Sequence, residues 1–548
     1  MVHSGDWLIP HVNGLPRYDK PPLVYWLMAV LYSLPAHGSW DPLGSWAAAL
    51  PSALASTAVV VLLSLITAWW ERCVLRQPQG LWLAVALFFG LGPLVMIWSR
   101  IGVSDSLLTA LVAFALVSSW WILVHQRFPW WVCWFLLGLA ILTKGPVALV
   151  LFAITWIAYG LIQHNLRLIW HQLKVGRGLL LSLAIAAPWY LLATWREGAA
   201  FLNSFFGYHN LQRFTEVVNR HQSPWWFYGA MLLLASLPWS GLVLLGGWRV
   251  LRTSHKPIEP IQSLPRFALC WLLSVLLLFS LSATKLPSYW LPATPAAALL
   301  AMSALIHRDR QLLWCLRFGA LCGLLLGMLL VCFKLWLPLI SDPDLQGLQA
   351  FLTASSLPFT AATPLLIGAC LCLLLTLKSR NSLLPWPVFA LQASFLALLP
   401  LLFWPLLRLG DIRRQQPMRT LALQSRSLQS TPAPIAMLGV IRPSFHFYAD
   451  APVAYEGTSA QALVNLNDRL YSESRMKLPD QAKNILVVAP LTITERKHWS
   501  PLLGPLIREE GRYGLWSLNL RDLSRRAQGL QRRQGLMPNW MEPRPERF

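Results

Sequence analysis

Apolar runs of about 17 to 25 residues, separated by short polar loops, recur between residues 46 and 408 and predict membrane-spanning helices. Twelve such spans are expected: 46–70, 80–98, 105–124, 129–143, 146–163, 178–195, 227–248, 266–283, 287–305, 313–337, 358–378 and 386–408. An earlier apolar run, Leu23 to Leu34, falls short of the roughly 20 residues a bilayer crossing needs, so it is expected to lie along the membrane surface or re-enter. Pro21-Pro22 in front of it suits a stiffened helix entry. After about Arg408 the long apolar runs stop. Pro434 to Val440, Asn484 to Ala489 and Gly514 to Asn519 then read as strands and Ser459 to Ser472 as a helix, which predicts a small α/β layer structure.

The expected fold is therefore a polytopic α-helical membrane protein of about 12 spans with a C-terminal extracytoplasmic α/β domain. Residues 1–45 form an outer loop with a juxtamembrane helix, 46–408 the transmembrane domain, 409–523 the soluble domain and 524–548 a basic, disordered tail. One alternating set of loops carries Arg72, Arg76, Arg127, Arg167, Lys174, Arg177, Arg249, Arg252, Lys256, Arg266, Arg308, Arg310, Lys378 and Arg380, and the positive-inside rule makes that set cytoplasmic. The N-terminal loop, the C-terminal domain and the acidic loop with Asp342 and Asp344 then fall outside. An even span count leaves no device to export the N-terminal loop, so a first span upstream of Met1 is expected.

Composition agrees with a membrane protein: of 548 residues, 56% are hydrophobic, 12% are charged and 30 are Trp. The net charge of +22 does not make a nucleic-acid binder, because Lys and Arg are scattered between apolar spans instead of gathered on one face. All eight Cys lie in or at the edges of apolar spans, which argues against a disulfide framework or a Cys-ligated metal.

The outer side should be poor in Lys and Arg, so its basic residues carry the information. Asp6, Arg17, Tyr18, Asp19, Lys20, Arg100, Asp105, Lys144, His209, Arg213, Lys285 and Tyr289 all fall there, in short aromatic-rich loops. Singly, a cation at a span end is commonly a snorkelling anchor, Asp105 an N-cap and His209 a hydrogen-bonded loop residue. Together they suit an anionic lipid-linked substrate: cations make charge-assisted hydrogen bonds to a phosphate, and a carboxylate orients a hydroxyl or takes its proton. A transporter of an anionic or lipid-linked substrate is the alternative, and a non-catalytic lipid-binding scaffold a third reading. Against the transporter, the charges crowd the span ends and no inverted repeat is visible.

Five motifs in order carry a resemblance: Gly5-Asp6-Trp7 through Arg17-Tyr18-Asp19-Lys20-Pro21-Pro22, Arg100 to Asp105, Leu142 to Pro146, Phe205 to Phe214, and Lys285 to Pro292. Over residues 4 to 300 the chain resembles the C-type membrane glycosyltransferases, in the branch of the lipid A aminoarabinose transferase and the bacterial relatives of protein O-mannosyltransferases. Pro443 to Tyr448 more faintly resembles a strand and turn of that branch's outer domain. The resemblance implies inverting transfer of a sugar from a polyprenyl-phosphate donor to a glycolipid, envelope glycan or protein acceptor. The reaction would occur at the outer face of a bacterial plasma membrane. It implies that Lys20, Arg213 and Tyr289 hold the departing phosphate, with Arg17 and Tyr18 beside them and Lys144 and Lys285 adding positive field. Asp105 corresponds to the family's second acidic position, and Asp19 stands where relatives commonly carry Glu; these two are the candidate catalytic carboxylates. The family's principal base lies upstream of the Gly-Asp-Trp motif and is expected in a segment before Met1. No cofactor is implied, and a divalent metal is left open.

Overall fold

In a computed structural model, the described residues are all except 3, 77–78, 218–221, 254–256, 340–347, 379–384, 430–432, 477, 480–481 and 541–548. Lys256, Asp342, Asp344 and Arg380, used in the topology reading above, lie outside them. The chain forms two compact units: residues 1–10, 18–332 and 358–398 make a helical unit, and residues 11–17, 333–357 and 399–548 a second.

Among the described residues seven helices are long and apolar enough to cross a membrane, or eight if one bent pair counts as a single span, so the expected twelve are not reached by this measure. Ser45–Trp70, Ser104–Val124, Val175–Glu197, Leu264–Leu281, Arg310–Val331 and Leu357–Lys378 lie close to the expected spans. The shortfall arises where Gly and Pro interrupt an apolar run. Residues 80–98 divide into Leu81–Gly90 and Pro93–Trp98 at Leu91-Gly92. Residues 287–305 divide into a 3-10 turn, Pro287–Ala293, and the helix Thr294–Ala304. Phe227–Ala235 and Ser240–Arg252 meet at 112° around Pro238. Trp131–Lys144 and Val147–Ile162 are short helices of 14 and 16 residues. The run after Pro22 forms the ten-residue helix Leu23–Tyr32, which is too short to cross.

The helical unit packs around Ser104–Val124 and Thr294–Ala304. The second of these is buried along its whole length, because Ala, Thr and Ser on every side admit neighbours closely.

The second unit contains a hairpin of β1 (His11–Val12) and β2 (Leu15–Pro16), and a five-stranded sheet. The sheet comprises β3 (Ile435–Leu438), β4 (Val453–Glu456), β5 (Asn484–Pro490), β6 (Leu503–Glu510) and β7 (Tyr513–Asn519), in the order β4-β3-β5-β7-β6. β3 runs parallel to both neighbours, whereas β5/β7 and β6/β7 are antiparallel. Alternation along β3 puts Ile435 and Met437 against Met418, Leu421 and Phe445, and Ala436 and Leu438 against Leu463, Leu466 and Leu523. Both sheet faces are thereby covered by helices, as a partly parallel sheet requires. Ser459 caps Ala460–Ser472 by accepting from the Ala462 amide at 3.1 Å.

Two expectations are corrected here. Residues 524–534 belong to the helix Leu520–Gln534, whose Leu523, Ala527 and Leu530 bury one stripe, so this part of the tail is ordered by an amphipathic face that its Arg-rich composition conceals. Pro443–Ala449 is a helix and not a strand, with Pro443 at its first turn.

Candidate active site

Four separate stretches of the helical unit converge on a cavity of about 470 Å³. Asp19 and Lys20 come from the loop before Leu23–Tyr32, and Lys144 ends the helix Trp131–Lys144. His209, Asn210 and Arg213 come from the long outer loop, and Tyr289 from the turn Pro287–Ala293. The remaining wall is mostly apolar and includes Val147, Val150, Phe206, Leu278 and Phe279. A cationic end joined to an apolar trough suits an amphiphile with a charged head.

Each stretch is held by local chemistry. Asp6 accepts from the Leu8 and Ile9 amides at 3.0 and 3.2 Å and pairs with Arg196 at 2.8 and 3.0 Å. Burial pushes the Asp6 carboxyl up, but hydrogen bonds from Arg196 and the two amides more than offset that and bring it down to about 2. Tyr18 donates to Glu197 at 2.6 Å and sets its ring edge-on to Phe201. Lys20 donates to the Asp19 carbonyl at 3.0 Å, and Tyr25 donates to the Asp19 carboxylate at 3.2 Å.

In the long outer loop, Asn203–Gln212 is π-helical and is clamped by a cluster of Trp189, Tyr190, Phe201, Phe205 and Phe206, with Phe201 and Phe205 stacked at 5.5 Å. Gly145 lies against Phe205: it has φ of +86°, and a Cβ there would stand 3.0 Å from the ring, so only Gly suits the turn that follows Lys144. Arg213 and Phe214 are zipped to the next outer loop, their carbonyls accepting from Thr284 and Ala283 at 3.2 and 2.9 Å.

Electrostatics divide the expected site residues into two groups. Lys20, Lys144, His209, Arg213, Tyr289 and Asp19 line the cavity together. Lys144 makes a 2.5 Å ion pair with Asp105 and places its ammonium 4.8 Å from the centre of the Tyr289 ring. Nε of Arg213 is buried with no hydrogen-bond partner. Removal from water pulls the Lys20 ammonium down, an effect Asp19 opposes and Lys144 and Arg213 reinforce, so that it titrates at about 8.

The rest do not line the cavity. Lys285 is buried and donates to the Ser282 carbonyl at 2.7 Å. Asp105 sits in the first turn of Ser104–Val124 without capping it and meets the cavity only through Lys144. Tyr18 points to Glu197, Arg17 groups with the second unit, and Arg100 is exposed and donates to the Met96 carbonyl at 2.6 Å.

Sequence reasoning assigned no role to Ser282, Asn210 or the apolar walls. Nothing in a uniformly hydrophobic span distinguishes a residue facing a trough from one facing lipid. Among the described residues no group of three or more His, Cys, Asp or Glu is placed to hold a metal ion.

Residues 19–192 match the dolichyl-phosphate-mannose-protein mannosyltransferase family, and residues 428–534 match the C-terminal domain of cyanobacterial RgtA-type glycosyltransferases. The undecaprenyl phosphate-alpha-4-amino-4-deoxy-L-arabinose arabinosyl transferase of Pseudomonas paraeruginosa is 33% identical over 319 residues, covering 57% of this chain and 54% of the relative. Over these stretches the chain is similar to membrane glycosyltransferases.

A second such arabinosyl transferase, from Sodalis glossinidius, is 33% identical over 321 residues, covering 55% of this chain and 52% of the relative. The matched stretch thus spans about half the length of these curated relatives. ArnT from Cupriavidus metallidurans bound to undecaprenyl phosphate shares the fold with a TM-score of 0.70 at 21% identity, covering 94% of this chain and 91% of the other. The protein is a multi-pass membrane protein with a C-terminal sheet domain.

Proposed function

We propose that this protein is a C-type glycosyltransferase that moves a sugar from a polyprenyl-phosphate donor to a hydroxyl of a lipid, glycan or protein acceptor at the outer face of a bacterial plasma membrane, with inversion. The observation that carries the reading is the meeting of Lys20, Lys144, Arg213 and Tyr289 at one end of a cavity whose other walls are apolar. The trough takes the isoprenoid chain and the cationic end takes the phosphate. The names of the relatives make 4-amino-4-deoxy-L-arabinose on undecaprenyl phosphate the first donor to test.

In the reaction the bond between the anomeric carbon and the phosphate oxygen breaks, the acceptor oxygen bonds to that carbon from the opposite face, and the acceptor proton passes to a carboxylate. The phosphate goes from a diester with one charge to a monoester approaching two. Ammonium and guanidinium contacts therefore strengthen toward the transition state, the condition for raising the rate and not merely the affinity. Lys20, Arg213 and the Tyr289 hydroxyl are the residues assigned to that growing charge. Asp105 acts as a positioning residue through its ion pair with Lys144. Among the described residues that line the cavity Asp19 is the only carboxylate, and it is the group in this chain assigned to orient the acceptor hydroxyl.

Transfer by the purified full chain tests the reading. Lys20→Ala and Arg213→Ala are each expected to lower turnover by about 100- to 1000-fold, the usual loss when one donor to a developing oxyanion is removed. Arg100→Ala, a cation on the same face outside the cavity, should change it by less than about threefold. Comparable losses in all three would remove the phosphate assignment.

A further inference from the structure

A second cavity, of about 220 Å³, lies at the other end of the helical unit, between the start of Leu81–Gly90, the residues after Thr294–Ala304 and the helix Pro385–Leu398. The segment Pro287–Ala304 joins the two cavities: Tyr289 lines the first, and Leu305, just past its end, lines the second. Seven 3-10 residues and eleven α-helical residues span about 30 Å, roughly the thickness of a bilayer core. The second cavity therefore belongs to the opposite membrane face, the one read as cytoplasmic from Arg72, Arg76, Arg308 and Arg310.

Leu81, Leu87, Leu305 and Phe389 give this cavity an apolar wall, and three polar side chains break it: Gln79, exposed at the rim, Arg308 and Gln392. Gln392 is 4% exposed, and neither its Nε2 nor its Oε1 has a hydrogen-bond partner. A bare amide, one donor and one acceptor, is costly at a place screened from water. Arg308 lines the same cavity and makes no hydrogen bond or ion pair among the described residues. Its neighbour Asp309 is committed to Arg249 through two 2.7 Å contacts. Glu71 does not line the cavity; its carboxylate is used by the amides of Gln79 and Leu81 at the start of Leu81–Gly90. That helix start therefore offers little to an anion, and the cationic character of the cavity comes from Arg308.

We propose that this cavity binds the headgroup end of an anionic glycerophospholipid from the leaflet facing the basic loops. Arg308 meets the phosphate, Nε2 of Gln392 donates to a phosphate or ester oxygen, and Oε1 accepts from a headgroup hydroxyl. The upper part of one acyl chain lies on the leucines. The volume is below the roughly 300 Å³ at which pockets begin to enclose a whole drug-sized molecule, so most of the lipid stays in the bilayer. This inference does not depend on the donor reading, which concerns the other face.

The test uses the full chain, purified and placed in nanodiscs of phosphatidylglycerol or of phosphatidylcholine, with retained lipid counted by native mass spectrometry and Tm measured in parallel. The wild type should retain phosphatidylglycerol through delipidation and gain Tm from it but not from phosphatidylcholine. Gln392→Leu, which removes a bare buried amide and should fold, and the surface change Arg308→Ala should each lower retention by about tenfold. Arg213→Ala, in the donor cavity, should leave it unchanged. Equal retention of both lipids, or retention unaffected by Gln392→Leu and Arg308→Ala, would overturn the proposal in favour of an internal water. A Tm gain reproduced by inorganic phosphate alone would equally overturn it, in favour of a free-anion site.

Discussion

Lys20 illustrates how neighbours set the working range of a single group. Taken out of water beside Lys144 and Arg213, it titrates at about 8, well below an ordinary lysine. The phosphodiester of a polyprenyl-phosphate donor keeps its single charge throughout this range, so affinity for it should follow the lysine alone. Binding favours the protonated form, and protonation is lost as pH rises through about 8. Affinity measured by intrinsic fluorescence should therefore be flat from pH 7 toward 8 and then fall by up to about tenfold per pH unit. Lys20→Arg, charged throughout this range, should flatten the profile, and an unchanged profile would detach Lys20 from the phosphate. Asp105 and Lys144 give a second residue-scale expectation. Both are largely buried and 2.5 Å apart, so removing one partner should cost about 3–5 kcal/mol by leaving a buried charge alone. The double change Asp105→Asn with Lys144→Met should recover most of that cost in denaturation experiments.

At the scale of elements, the hairpin of β1 and β2 shows how a short polar segment is held within the second unit. Seven residues cannot build a core, and the hairpin is fixed instead by polar contacts to the sheet domain. Asn13 exchanges hydrogen bonds with the Val453 backbone at 2.8 and 2.9 Å, Arg475 donates to the Asn13 carbonyl, and the Asn13 amide donates to Nε2 of His446 at 2.9 Å. Nδ1 of His446 meets the Ala451 carbonyl at 2.9 Å, which makes Nδ1 the protonated nitrogen and Nε2 the acceptor. Burial and Arg475 pull the histidine down, while the Ala451 carbonyl and Asp450 pull it up; the net direction is down. Because the folded value lies below the unfolded one, the neutral ring contributes stability fully above about pH 6.5 and loses it as pH falls toward the folded value. Hydrogen exchange at the Asn13 amide, corrected for intrinsic rate, should accordingly quicken between pH 7 and pH 5. His446→Gln, whose amide does not titrate, should remove that pH dependence; if acidification still loosens the amide in that variant, the histidine is not the cause.

For the whole molecule, the alternation of basic loops predicts that the proposed donor cavity and the C-terminal domain lie on the side opposite Arg167, Arg177 and Arg308. A reporter that is active only after export should therefore be active when fused behind Gln534, at the end of the last helix of the sheet domain. Fusion inside β7 is unsuitable, since Leu515 pairs with both β5 and β6 and is fully buried. Activity only from a cytoplasmic reporter at the same point would reverse the orientation and move the proposed reaction to the other face.

The fold class and many of the elements were legible in one dimension, for a physical reason. A bilayer imposes a minimum apolar length and a charge asymmetry, and both are written along the chain. The spans from Ser45 and Ser104, the short helix after Pro22, and β5 and β7 were all readable in this way. The convergence of Lys20, Lys144, Arg213 and Tyr289 was also expected, because cations on a face that excludes them need a reason to be there. Length alone could not say which apolar runs break: the 112° bend at Pro238 and the division at Leu91-Gly92 depend on packing against neighbours. Nor could it separate Lys144, which lines the cavity, from Lys285, which is turned to the Ser282 carbonyl, since both are single lysines in short outer loops. That choice, like the turning of Asp105 toward Lys144 and the exposure of the Gln392 amide to a second cavity, belongs to tertiary structure. It depends on which side chains the packing of separate helices brings within hydrogen-bond reach, and sequence spacing carries no record of that distance.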